Sequence, residues 1–214
     1  MVLDINYCLK KVCLKSALYF EKSFHDQWGM EMDQSSFGQF HLVVEGSCWA
    51  ELENKNNLEL VAGDLIFFPL GTPHALVHAL GGPKKKGMEV YNAHISGEPI
   101  FNVGESNVTL ICGHFEYDWN FKHPFLNDLP QYILLRKEAF QWREGLEFFL
   151  NQVSQEIQAR QSGFETVTNK LAEILFIQII REYAKKSKGG FLVALNDENI
   201  GVALKNIHQE LKEE

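Results

Sequence analysis

Four residues of this sequence carry side chains that could bind a soft metal ion: His41, His74, Cys112 and His114. They fall in three segments with strand-like patterns, and Cys112 and His114 share one strand face because side chains alternate with period two. Imidazole and thiolate are ligands that Zn²⁺ prefers. The same residues also suit a core in which each histidine is hydrogen-bonded and Cys112 is a small buried hydrophobe. Because the four lack the short ligand spacing of structural zinc sites, both interpretations stay open.

Other catalytic chemistry has little support in the sequence. There is no nucleophile-elbow sequence, so a Ser-His-Asp hydrolase is not indicated. Gly81-Gly82-Pro83 predicts a turn and not the strand-to-helix loop that cradles phosphate. Cys8 and Cys13 lie in a segment, 3–13, whose spacing predicts a short amphipathic helix; we expect apolar filler there, with a redox pair as the alternative. The sequence therefore predicts a protein that is not an enzyme.

Charge and composition limit the possible partners. The chain has 214 residues, with 28 acidic and 20 basic side chains and a net charge of -8. That balance disfavours nucleic-acid binding by this chain alone, because phosphate contacts need clustered Lys and Arg. The four cysteines form no CxxC pair and no signal peptide is present, which predicts a reducing compartment. No apolar run approaches the roughly 18 residues of a membrane span, so we expect a soluble, cytoplasmic protein.

Most of the first half of the chain has the pattern of short strands. Gly and Asn turns separate them, and this arrangement predicts a β-barrel or sandwich. The predicted strands are 15–24, 37–45, 47–53, 64–68, a segment beginning at His74, 89–95 and 108–117.

After Pro124 the pattern becomes helical. Residues 139–160 carry an apolar stripe, and a capping box at Ser162 and Glu165 predicts a second helix that runs to about Lys186. Asn196 or Asp197 is expected to cap a third helix. The second helix has two apolar faces. The barrel or the preceding helix can cover one of them, and the other is left for a second copy of the chain or for the third helix. The faces comprise Leu171, Ile174, Leu175 and Gln178 on one side and Ala172, Phe176, Ile179, Ile180 and Tyr183 on the other.

One motif resembles a known superfamily. Gly63-x5-Pro69-x-Gly71-x2-His74 is similar to the second motif of the cupins, whose fold is a double-stranded β-helix barrel. The resemblance implies that His74 points into the barrel, where the family often binds a metal. His78 stands where that motif usually has Asn.

The first motif of the enzymatic cupins is missing. Counting back from Gly46, the position of its Glu is Gln39, and the expected His pair falls near 33–35, which are Asp, Gln and Ser. A two-His-and-carboxylate oxygenase site is therefore unsupported. His41 remains on the strand face of Gln39, so the resemblance places it with His74, Cys112 and His114 inside the barrel.

An ordered series of segments resembles the sensor domain of AraC-type transcription regulators. The resemblance implies a cupin (RmlC-like) sensor barrel over 1–130 and an α-helical dimerisation and linker region over 131–214. In that family a helix-turn-helix domain follows, and this chain stops where it would begin. The segments are 40–49, 63–74, 110–115, 123–130, 171–176 and 195–208.

The leading hypothesis is therefore a regulatory module. A small-molecule effector or a metal-linked redox signal would occupy the barrel, the helices would form a homodimer, and DNA would be reached only through the missing helix-turn-helix domain. The alternatives are a metal-dependent cupin oxygenase or isomerase, and a stand-alone small-molecule-binding cupin.

Overall fold

The fold is a curled β-sheet, a half-barrel, followed by helices. A computed structural model describes residues 14–53, 56–117, 126, 128–138, 140–159, 161–197 and 200–201. The strands are β1 Lys15–His25, β2 Gly29–Met32, β3 Gly38–Leu52, β4 Leu58–Val61, β5 Leu65–Phe68, β6 His74–Val77, β7 Lys85–Lys86, β8 Ser106–Glu116 and β9 Ile133–Leu135. The helices are α1 Gly87–Ser96, α2 Phe140–Ala159, α3 Phe164–Lys186 and α4 Phe191–Asn196. No helix among the described residues is long and apolar enough to cross a membrane.

The long strand β3 organises the sheet. Its first half pairs with β8 on one side and β5 on the other, and its second half pairs with β4 and β6. The strands predicted over 37–45 and 47–53 are both extended, but they form one continuous strand, so the break predicted at Gly46 is wrong. The chain bends without breaking, since Gly46 takes a φ of 73°. A Cβ at this position would lie 1.9 Å from the carbonyl oxygen of Asn107, so glycine is required.

Alternation along the central strands separates two cores. Phe40 and Leu42 face the helices, whereas His41 and Val43 face the inside of the curled sheet. The same alternation on β8 places Cys112 on the inside. The strands expected at 15–24 and 108–117 are confirmed, and so is the cupin fold with C-terminal helices.

The segment 89–95 is helical and not a strand, so this prediction is also wrong. Within α1 the buried residues are Val90 and Ala93, three positions apart, which is helical spacing. Gly97 ends the helix in the left-handed conformation, with a φ of 72°. A run of β-formers and aromatics at the surface thus gave a strand signal that tertiary packing overrides.

The helical layer packs on the outside of the sheet. Phe176 of α3 contacts the rings of Phe67, Phe115 and Tyr117. The predicted capping box is wrong, because the N-cap is Gly163, which has a φ of 90° and no side-chain cap. The helix does end at Lys186, and Asp197 Oδ1 accepts a hydrogen bond from Ile200 N at 2.9 Å, as expected of a cap.

The strands β2, β4, β7 and β9 and the helix α4 were not among the predicted elements. β9 lies within 131–214 yet pairs with β5 of the sheet. The helix expected at 3–13, with Cys8 and Cys13, and the body of the third helix lie outside the described residues.

Candidate functional site

A cavity of about 280 Å³ opens inside the curled sheet. His41 of β3 and Cys112 of β8 lie at its base, where they are direct partners in the antiparallel register. Aromatic and methionine side chains form most of its wall: Tyr19, Phe20, Phe37 and Tyr91, with Met30, Met32 and Met88. Its size is close to the lower limit of typical ligand pockets, and its mainly apolar wall with few polar groups is typical of them.

The base of the cavity continues into a row of hydrogen bonds. His41 Nδ1 lies 3.1 Å from Cys112 Sγ, and His41 Nε2 lies 2.8 Å from His74 Nε2. His74 Nδ1 lies 2.7 Å from the carbonyl oxygen of Thr72. We refer to Cys112, His41, His74 and the Thr72 carbonyl as the thiol–imidazole chain.

The partners determine where the protons of this chain lie. The carbonyl of Thr72 can only accept, so Nδ1 of His74 carries a proton. Neutral His74 then has a bare Nε2, which accepts from the Nε2–H of His41. Nδ1 of His41 is consequently bare and accepts from the thiol of Cys112. One arrangement with two neutral rings and a neutral thiol therefore satisfies every bond.

Burial favours these neutral forms. It lowers the pKa of His74 to about 4, in spite of the hydrogen bond to the Thr72 carbonyl, which raises it. Burial, and then the neighbouring His74, hold the pKa of His41 well below its usual range. Burial also raises the pKa of Cys112 well above that of a free thiol. The chain is thus uncharged near neutral pH.

A single zinc ion does not fit this arrangement. Cys112 faces Nδ1 of His41, whereas His74 faces Nε2, and the two nitrogens of one ring point away from each other. No group of three or more His, Cys, Asp and Glu side chains among the described residues is arranged to hold a metal ion. Zinc at His41, His74, Cys112 and His114 therefore stays a prediction, and it requires the ring of His41 to turn.

His114 lies apart from the other three predicted ligands. Its ring is tilted against Tyr19 and Phe37, with centroids 4.9 Å away in both cases. Its Nε2 is 3.1 Å from Glu116 Oε1. The structure therefore brings together His41, His74 and Cys112 and places His114 in an aromatic cluster further along β8.

Gln39 and Tyr19 are polar cavity residues that were not among the predicted site residues. Gln39 Oε1 is buried and has no hydrogen-bond partner among the described residues. Burial raises the pKa of Tyr19 to about 12, so its hydroxyl is a neutral donor. Gln39 could have been predicted as a cavity residue, because it shares a strand face with His41. No sequence signal pointed to Tyr19.

The mouth of the cavity is charged. Lys86 Nζ lies 2.7 Å from Asp33 Oδ1 and 3.2 Å from Glu31 Oε2, and all three residues line the opening. Because the charged side chains among the lining residues, Glu31, Asp33 and Lys86, are all at the mouth, the interior of the cavity suits an uncharged body.

Comparisons with known proteins agree with the fold. The family model described as Cupin (Cupin_6) matches residues 5–185. An uncharacterized HTH-type transcriptional regulator of Haemophilus influenzae is 26% identical over 87% of this chain and 62% of its own length. The HTH-type transcriptional regulator MtrA of Neisseria gonorrhoeae is 24% identical over 83% and 58%. The chain thus spans about three fifths of the length of these relatives.

A solved structure was also matched. Unsaturated fatty acid-bound ToxT from Vibrio cholerae is 12% identical, with a TM-score of 0.42 over 86% of this chain and 59% of that chain. Overlap at this level is partial and has no bearing on function. The resemblance to AraC-type sensor domains is confirmed by the family match and the regulator relatives. Since the family model spans most of the sequence, the chain belongs to the cupin family Cupin_6.

Proposed function

We propose that this chain is the effector-sensing part of an AraC-type DNA-binding regulator that acts in the cytoplasm, and that a small-molecule effector binds in the cavity above the thiol–imidazole chain. The regulator relatives support this role. The absence of the first enzymatic cupin motif supports sensing over catalysis, since Gln39 stands where those enzymes have a ligand. DNA binding belongs to a helix-turn-helix domain outside this chain.

The observation that carries the proposal is a wall shared between the cavity and the helical layer. Tyr19, Phe20 and Tyr91 line the cavity on one side. On the other side they line a groove of about 540 Å³ whose far wall includes Phe164 and Thr168 of α3. An effector that moves these rings therefore moves the contact surface of α3.

Hydrogen bonds couple β1 to α3 beside that wall. Ser16 Oγ donates to the carbonyl oxygen of Asn169 at 2.5 Å, and Leu18 N donates to Asn169 Oδ1 at 3.3 Å. The strand that carries Tyr19 is thus attached to the helix. An effector with different affinities for two positions of β1 would shift α3 between two positions as well.

We further propose that the helical layer forms a homodimer. Phe148 of α2 and Ile174 of α3 are 56% and 47% exposed and line one surface groove, although both are large and apolar. Val167, about two helical turns before Ile174 on α3, is also exposed. A twofold contact would cover this face and suit a regulator that reads paired half-sites.

Ligand binding tests the cavity. A compound at about 100 times its Kd should stabilise the chain by about 2.7 kcal/mol. We expect uncharged apolar compounds to raise the Tm of the wild-type chain and not that of Gln39→Trp, whose larger side chain fills the cavity. Equal shifts in both proteins would place the binding site elsewhere and refute the proposal.

A further inference from the structure

Cys112 differs from the other described cysteine in what surrounds it. Cys48 and Cys112 are both buried free thiols. Cys112 lines the cavity and lies 3.1 Å from an imidazole nitrogen, whereas Cys48 does not line it. A thiol that opens on a ligand cavity and touches a base has a geometry suited to attack on a bound molecule.

The thiol–imidazole chain has the order of a nucleophilic site. Cys112 is the nucleophile, and His41 is a base whose unprotonated Nδ1 points toward the thiol. His74 orients this base, because its Nε2 lies 2.8 Å from Nε2 of His41. His74 is itself fixed by the Thr72 carbonyl at 2.7 Å. Nucleophile, base and orienting group within hydrogen-bond reach of one another are the features by which such sites are identified.

We propose that Cys112 is a covalent attachment site for an uncharged effector of the α,β-unsaturated carbonyl class, which adds to the thiol with His41 as the base. This inference rests on the proposed function, because it assigns a chemical class to the effector of the same cavity. The thiol is a soft nucleophile, and a conjugated carbonyl offers a soft carbon without needing a leaving group or an oxidant.

The step balances in atoms and electrons. The electron pair of the Sγ–H bond of Cys112 forms a bond to the β-carbon of the effector. The π electrons of the C=C bond move toward the carbonyl oxygen at the same time. The proton passes from Sγ to Nδ1 of His41, and the resulting imidazolium returns it to the α-carbon. The product is a saturated thioether, and His41 ends in its starting form. Nothing is oxidised or reduced overall.

The cavity supplies the remaining requirements. Its apolar wall includes Tyr19 and Tyr91, whose rings pack edge to face with centroids 5.2 Å apart, and it accepts a flat hydrocarbon body beside them. The amide of Gln39 reaches the same space, and a half-turn about its last bond would direct an N–H to the effector carbonyl, since its Oε1 has no partner among the described residues to hold it.

Burial also explains how the thiol would be protected from other reagents. In the resting chain it stays protonated, because a thiolate is costly in this interior. Reaction then requires a molecule that enters the cavity and remains there while His41 takes the proton. We therefore expect a reaction rate that saturates with effector concentration, as binding precedes bond formation.

The test uses the full 214-residue chain and 2-cyclohexenone as the probe, with cyclohexanone as the matched compound that can occupy the cavity but cannot add. Trypsin cleaves after Lys and Arg, so it separates Cys8, Cys13, Cys48 and Cys112 into four peptides. Peptide mass spectrometry over time then gives a rate for each cysteine. We expect Cys112 to react faster than Cys48, with a saturating rate that cyclohexanone lowers.

The variant His41→Gln removes the base while keeping a polar side chain. Positioned bases contribute about 10²–10⁴-fold to rate, so labelling of Cys112 should fall at least about tenfold in His41→Gln, with labelling of Cys48 unchanged. Circular dichroism checks that the variant is folded; if it is not, protection of wild-type Cys112 by cyclohexanone decides the question alone.

Labelling of Cys112 no faster than Cys48, or labelling that cyclohexanone does not slow, would overturn the inference. If cyclohexanone raises the Tm of the wild-type chain while Cys112 stays unlabelled, the covalent step is refuted and the proposed sensing function stands. If neither compound binds or reacts, this inference fails, and the Gln39→Trp comparison with other uncharged compounds still decides the proposed function.

Discussion

The thiol–imidazole chain is stable as a set of neutral groups with directional bonds. Each bond contributes about 0.5–1.5 kcal/mol net, but a buried donor or acceptor that loses its partner costs about 1–3 kcal/mol. His41 occupies the middle and bonds on both sides. In the neutral chain each ring has one nitrogen that accepts a hydrogen bond. Protonation of either ring puts an N–H group at that nitrogen, so the hydrogen bond that it accepts is lost. The arrangement is therefore sensitive to pH.

We expect this sensitivity to appear in the free energy of unfolding. The pKa of His74 is about 4 in the folded chain against 6.5 for the free side chain, so the unfolded state binds more protons between those values. Stability from His74 is present above pH 6.5 and is lost as the pH falls toward 4, by about 3 kcal/mol in total. The lowered pKa of His41 acts in the same direction.

Urea denaturation of the wild type and of His74→Asn at several pH values isolates this effect from the carboxylates, which titrate in both proteins. The wild type should lose more stability than the variant over this window. Parallel pH profiles for the two proteins would show that His74 is not held neutral by burial.

Individual elements were predictable where one local pattern dominates. The cupin resemblance, together with period-two alternation, placed His41 and Cys112 on an inward face, and apolar spacing predicted α2 and α3 almost to their ends. Elements set by tertiary contacts were not. α1 has a surface sequence rich in β-formers, and β9 is three residues long and is recognisable only from its pairing with β5.

The proton arrangement of the site was beyond prediction for a related reason. It depends on the register that sets His41 opposite Cys112, and on the Thr72 carbonyl that fixes the tautomer of His74. Both arise from strand pairing and turn geometry, which cannot be predicted from the spacing of residues along the sequence. Sequence therefore grouped three of the residues correctly and left open a metal site or hydrogen-bonded core histidines; the geometry shows how the three side chains are hydrogen-bonded.

Asp64 connects β9 to the rest of the sheet, and we expect it to be important for stability. Its fully buried carboxylate accepts from Arg136 Nη1 at 2.6 Å, Lys137 N at 3.0 Å and Val61 N at 3.1 Å. Asp64→Ala leaves two backbone donors unpaired and should reduce the free energy of unfolding by about 2–3 kcal/mol.

Asp33→Ala is the matched control, since Asp33 is an exposed carboxylate paired with Lys86. Removal of an exposed pair should cost between 0 and about 1 kcal/mol. Chemical denaturation of both variants measures the difference; similar losses in the two would mean that Asp64 does not act as a structural bridge.

At the scale of the whole molecule, the outer face of α3 is where we propose that the dimer contact lies. Ile174 is half exposed, whereas Ile180 is fully buried against the sheet. We expect Ile174→Glu to convert a dimer into folded monomers by placing a charge in the contact. Ile180→Glu should instead unfold the chain, because it buries an unpaired charge.

Light scattering across a wide concentration range measures the mass, and circular dichroism reports folding. A wild-type chain that is monomeric throughout the range would refute the dimer, and so would an Ile174→Glu variant that keeps the dimeric mass.

The central claim is that occupancy of the cavity is communicated to DNA binding. The direct measurement is the Kd of the full-length regulator for its DNA site, by fluorescence anisotropy at fixed salt, with and without a compound that raises the Tm of the wild type and not of Gln39→Trp. Coupling free energies of about 1–3 kcal/mol predict a change in Kd of about 5- to 150-fold, lost in Gln39→Trp. A Kd that stays the same while the cavity is saturated would contradict the account.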